Sequence, residues 1–132
     1  QIKNAFDADH AICIFPAGLV SRKLKGKVRD LDWKKTFVTY ARALDRKVVP
    51  IYIDGKLSPF FYNLYRIRTF FGIKANIEML YLSNELFKQR NQKITFHIGS
   101  SINGKEFHSE LTDYKAAQEY KKKVYSIKDK TI

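Results

Sequence analysis

The passage Ala11-Ile12-Cys13-Ile14-Phe15-Pro16-Ala17-Gly18-Leu19-Val20-Ser21-Arg22-Lys23 decides how the rest of the chain is read. Its first five residues are apolar, too few for a helix, and bounded by Pro16 and Gly18, so they predict a buried strand. Gly18 lets the backbone turn sharply and come close to a ligand. Beyond it a loop is predicted from Ser21 to Asp30, where Arg22, Lys23, Lys25, Lys27 and Arg29 surround Gly26. This is the densest positive stretch before the C-terminal region, and it starts where a buried strand ends.

Upstream, residues 2 to 9 predict the end of a helix. Asp32 is a candidate N-cap for a helix whose apolar positions Trp33, Phe37, Tyr40, Ala41 and Leu44 keep the spacing of one buried face. Val48 to Ile53 is again apolar and β-branched and closes on the turn pair Asp54-Gly55, which predicts a second strand. Pro50 lacks a backbone donor, so this strand must run where that donor is not needed. Ser58-Pro59 gives an N-cap and a first-turn proline for a helix through Phe71 that stops at Gly72. Ile77 to Leu82 predicts a further strand, with one longer helix from Asn76 to Asn91 as the alternative. Ile94 to Ile98 alternates apolar and polar residues, as a strand does. Asp113 is the expected cap of a last helix ending at Tyr125, with Ala117, Tyr120 and Val124 inward and Lys121, Lys122 and Lys123 mostly outward. Strand, helix, strand, helix, strand in this order predicts an α/β fold with a mostly parallel sheet flanked by helices, whose ligands bind beyond the carboxyl ends of the strands.

Composition narrows the class. The chain has 132 residues, no internal repeat and no Pro- or Gly-rich linker, which predicts one domain over residues 1–132. Hydrophobic residues make up 45% and aromatics 14%, too much for a disordered tail. The single cysteine, Cys13, excludes an internal disulfide and a cysteine-based zinc cluster and suits a reducing cytoplasm. A net charge of +12 favours polyanions such as nucleic acid, anionic headgroups or phosphorylated small molecules. The uncharged stretch Ala11 to Ser21 is far short of the ~20 apolar residues of a spanning helix. The first ten residues have neither the basic start nor the apolar core of a signal peptide and no initiator Met, as expected of a piece cut from a larger protein.

The segment Ile14 to Lys23 resembles the third conserved block of the PlsC-type glycerolipid acyltransferases, usually written FPEGTRS, in an FPAG variant. Val48 to Ile53 resembles that family's fourth block, a strand with a central proline. Leu57 to Leu64, Glu85-Leu86 and Phe96 to Ile102 are similar to later segments, with Ser101 in place of a proline. The resemblance covers about residue 5 to residue 125 in the family's order. It implies transfer of an acyl group from a thioester of coenzyme A or of acyl-carrier protein to a lysolipid-type acceptor, with no bound cofactor. It also implies that Phe15, Pro16 and Gly18 frame the acceptor site, that Ser21 and Arg22 hold the acceptor's polar or phosphate group, and that Pro50 belongs to a secondary frame. An arginine fork matches phosphate or carboxylate, so the last role is chemically reasonable. Ala17 replaces the usual glutamate, which points to an acceptor other than simple lysophosphatidic acid, such as an amino-acid lipid or another lysolipid.

The family's catalytic pair is a histidine that takes the proton of the attacking acceptor and an aspartate five residues later that orients it. That block precedes FPxG by tens of residues, so this chain resembles the C-terminal portion of the domain and is expected to be inactive by itself. His108 and Asp113 reproduce the spacing, but about 0.2 such pairs arise by chance in this composition. They also stand at the wrong end of the chain, so we reject them. His10 and His97 lie apart from any carboxylate at ligand spacing and suggest no metal. The expected location is the inner face of the cell membrane, with peripheral contact to anionic lipid through the aromatic helix and Lys121 to Lys123. Self-association is expected if an incomplete sheet exposes apolar surface. A basic nucleic-acid-binding module is the second reading, although no RNP, KH or zinc-finger pattern supports it. A catalytically dead lipid-binding relative is the third.

Overall fold

Two small two-stranded antiparallel sheets stand where the mostly parallel sheet was expected. The computed structural model describes residues 2–7, 10–24, 26–107 and 110–130. After helix α1 (Ile2–Asp7), strands β1 (Arg22–Leu24) and β2 (Lys27–Arg29) pair antiparallel, with Arg22 opposite Arg29. The connection is only two residues long and includes Gly26 at φ +80°, and so short a link permits only a reversal of direction. Helix α2 (Thr36–Ala43) leads to β3 (Ile51–Asp54), helix α3 (Pro59–Phe70), a 3-10 turn over Ile77–Tyr81 and helix α4 (Leu82–Lys88). Strand β4 (Thr95–Ile98) then pairs antiparallel with β3, Ile51 opposite Ile98. A 3-10 turn at Gly104–Glu106, helix α5 (Asp113–Tyr125) and a final 3-10 turn, Lys128–Lys130, complete the order.

Ala11 to Phe15 is not a strand, and Phe15 is 71% exposed. Apolar content shows that a segment seeks cover but does not supply a ladder partner. Ile77 to Leu82 likewise forms a 3-10 turn running into α4, closer to the longer-helix alternative. Helix α2 starts at Thr36 rather than after Asp32, because the Gln118 side-chain amide holds both backbone groups of Trp33 (3.2 and 2.8 Å), including the carbonyl a helix would use. Pro50 is buried just before β3. Its carbonyl accepts from Gly99 N–H at 2.9 Å, and the pairing shifts by one residue between there and the Val48–Ile102 bridge, so no ladder bond needs the missing donor.

The main core joins α2 to α5. Trp33, Phe37, Val38 and Ala41 pack against Phe107, Ala116, Ala117, Tyr120 and Val124. Each such large apolar side chain contributes roughly 1.5–3 kcal/mol by leaving water. Gly104 permits a backbone-to-backbone crossing here, since a Cβ at that position would collide with the carbonyl of Ala41. Asp30 ties the first hairpin to this core. Its carboxylate accepts from the Ser21 hydroxyl (2.5 Å) and Trp33 Nε1 (3.0 Å), while its N–H donates to the Tyr125 hydroxyl (2.9 Å).

A second cluster forms around Phe61 and Tyr62 of α3, both buried. Phe60, Ile67 and Phe71 of the same segment are exposed. What α3 buries with its aromatics is Arg68, beside Glu78 and Arg22. Lys121 also departs from expectation: its ammonium donates to the carbonyls of Asp30 and Leu31, both at 2.9 Å.

Candidate functional site

The FPAG segment closes a tight turn. The Phe15 carbonyl accepts from Gly18 N–H at 3.0 Å, and Gly18 has φ +67°, a conformation other residues enter at a cost of about 1–2 kcal/mol. The Pro16 carbonyl accepts from Lys34 N–H at 2.9 Å and so fixes the turn to the chain entering α2. Beneath it lies a groove of about 360 Å³, walled mainly by Phe6, Ile12, Ile14, Phe15 and Phe37, with Pro16 and Gly18 at its rim and Lys34 as its cation. Cys13 lines it as well. A larger depression of about 680 Å³ lies on the outer face of α3, among Arg66, Ile67, Phe70 and Phe71, with no element of the turn.

Of the expected acceptor-side residues, Phe15, Pro16 and Gly18 therefore meet at one groove, while Ser21, Arg22 and Pro50 do not line it. Ser21 gives its hydroxyl proton to Asp30. Arg22 is only 1% exposed. One guanidinium nitrogen lies 2.9 Å from Glu78 Oε1, another donates to the Val20 carbonyl at 3.0 Å, and the plane stands over the Tyr65 ring at 4.9 Å. Arg68 Nε approaches the other oxygen of Glu78 at 2.9 Å. The fork expected to face a headgroup is thus occupied by a carboxylate of the protein, because a buried Glu78 needs cations around it.

The remaining histidine and carboxylate candidates have structural surroundings. His10 accepts through its backbone carbonyl from Arg46, and His97 sits beside Tyr52 with ring centroids 5.9 Å apart. His108 lies outside the described residues. Asp113 does not cap α5. Thr112 does, accepting from Lys115 N–H, while Asp113 binds the Thr39 hydroxyl and Arg42 and so joins α5 to α2. The Thr39 hydrogen bond, opposed by burial and helped by Arg42, holds the Asp113 carboxyl below its ordinary range.

Lys34 and Glu78 were not singled out in the sequence. Glu78 could have been found as a lone carboxylate inside the apolar run Ile77 to Leu82, which demands a cation once that run is covered. Lys34 left no such signal among so many lysines.

Residues 1–132 match the family model described as acyltransferase. A lyso-glycine lipid O-acyltransferase of Phocaeicola vulgatus is 44% identical over 127 residues, which is 96% of this chain and 46% of that protein. One of the same name from Bacteroides thetaiotaomicron is 40% identical over 127 residues, 96% of this chain and 47% of its own. The chain spans a little under half the length of these relatives. No solved structure matches it. With its full length matched and an FPAG turn framing an apolar groove, the chain belongs to the acyltransferase family.

Proposed function

We propose that this chain supplies the acceptor side of an O-acyltransferase that moves a fatty acyl group from an acyl thioester to the hydroxyl of a lysolipid with a glycine-type head, in membrane lipid synthesis. The observation that carries this reading is the apolar groove under the Phe15–Gly18 turn, bearing one ammonium, in a chain whose relatives are named for lyso-glycine lipids. Such a groove suits an acceptor that is mostly hydrocarbon with a small anionic end. In the reaction the acceptor hydroxyl oxygen attacks the thioester carbonyl, a base takes the hydroxyl proton, the carbon–sulfur bond breaks, and the thiolate leaves to be reprotonated. The donor is an acyl thioester of coenzyme A or of acyl-carrier protein. Among the described residues no histidine is oriented by a carboxylate, so the base is assigned to a part of the parent protein that this chain does not span, and the chain alone is read as inactive.

A lipid acceptor also has to be reached. We assign the exposed patch of Ile67, Phe70 and Phe71 with Arg66 to contact with the anionic inner face of the cell membrane. Among the described residues no helix is long and apolar enough to cross it. Self-association would use the exposed face of the β3–β4 sheet, where Ile51, Ile53, Phe96 and Ile98 lie.

The test follows free thiol release from palmitoyl-CoA. A full-length protein containing this segment is expected to release thiol only when a hydroxylated N-acylglycine is supplied, and the 132-residue chain to stay at the buffer rate. Turnover by the isolated chain that is lost in His108→Ala would overturn the assignment of the base.

A further inference from the structure

Gly18 is crossed by a lysine. A Cβ built on it would lie 3.1 Å from Lys34 Nζ and 3.3 Å from its Cε, so the ammonium rests over the bare backbone of the turn, at the rim of the groove. Lys34 is anchored at its root. Its N–H is bound to Pro16, and the preceding Trp33 is held by Gln118 through both backbone groups and by Asp30 through its indole. Among the described residues Lys34 Nζ has no carboxylate partner, although seven ion pairs engage other cations. The turn's own arginine is committed to Glu78.

We propose that Lys34 reads the head of the ligand, taking the carboxylate of a single-chain amphiphile whose hydrocarbon lies against Ile12, Ile14 and Phe37. This rests on the acceptor-side reading above and names the residue that gives it specificity. The charge of the site selects the ligand class. One ammonium is a compact point charge that balances a monoanion, whereas a phosphate dianion is matched best by the planar fork that Arg22 has committed to Glu78. A glycine joined to a fatty chain through its amine keeps such a carboxylate. The apolar wall next to the ammonium excludes water from one side of the pair, which strengthens it relative to a fully solvated one.

The protein carries its own reporter, since Trp33 is its single tryptophan and adjoins Lys34. The 132-residue chain would be titrated, by Trp33 fluorescence, with N-(3-hydroxypalmitoyl)glycine below its micelle concentration, with the methyl ester of that compound, and with a lysophosphatidic acid of equal chain length. The acid is expected to bind about tenfold more tightly than the ester, and also more tightly than the phosphate. Lys34→Gln should bring the acid down to the level of the ester without changing ester binding, and Lys34→Arg should keep part of the preference. Circular dichroism is expected to be unchanged, because this side chain is exposed. An acid-to-ester ratio untouched by Lys34→Gln would overturn the role of Lys34 while leaving the groove as a lysolipid site. Failure of acid and ester alike to bind the unmodified chain would remove both readings.

Discussion

Glu78 has no exposed surface, and taking a carboxylate that far from water costs several kcal/mol unless cations and hydrogen bonds compensate. Arg22 and Arg68 approach its two oxygens from different elements, and the Tyr65 ring lies against both guanidinium groups. Replacing one partner leaves the others buried. Arg22→Met is therefore expected to lower stability by about 3–5 kcal/mol, read as a shift of the urea midpoint. Removing all three charges, with Glu78→Leu and Arg68→Met added, should recover much of that loss. A midpoint unmoved by Arg22→Met would show that the triad contributes nothing. At this scale the sequence revealed which residues stand at the turn but not which way they point. Arg22 finds its carboxylate 56 positions away, a separation that no local spacing encodes.

The start of α3 was legible because capping is local chemistry. Ser58 accepts from Phe61 N–H and Pro59 occupies the first turn, as their spacing predicts. The sequence did not disclose that Glu85, from α4, completes this cap by accepting from the Ser58 N–H and hydroxyl while pairing with Lys88. Burial alone would raise the Glu85 carboxyl, but the Ser58 donors and Lys88 outweigh it and hold the group below its ordinary 4.5. A lowered folded value means that folding favours the ionised form. That contribution is fully present above the unfolded value and disappears as pH falls through the lower folded one. Chemical denaturation from pH 6 down to pH 3 should thus show Glu85→Gln to be less stable than the parent at the upper end, with the difference narrowing as pH falls. Ser58→Ala should cost about 1 kcal/mol or more. The strand expected at Ile77 to Leu82 failed for the opposite reason, since its apolar run carried no local mark to separate a strand from a tight helical turn.

For the whole molecule, the alternation of apolar runs and amphipathic helices located most elements but not the direction of their pairing. Direction is set where β3 meets β4, some forty residues further along, and a composition-based reading has no access to that register. The same limit hid the distribution of exposed apolar side chains, which gather at the end of α3, at Leu80, Leu86 and Phe87, and on one face of the β3–β4 sheet. With a net charge of +12, the chain is expected to sediment with vesicles containing phosphatidylserine and to be released as salt is raised. Phe70→Ser together with Phe71→Ser should weaken the residual binding at high salt, whereas Ile51→Ser should not. Equal loss from both changes would remove α3 from the contact.

The crossing at Gly104 has one further consequence. Where main chain touches main chain there is no side chain to trade, so the gap between α2 and the turn beside it is a constant of the architecture. Phe107, next to this crossing, packs edge-on against Phe37 and Tyr120, so a change of shape there is felt at the groove wall. The turn at Gly104 is therefore a fixed pivot against which α2, and with it the groove wall at Phe37, is held.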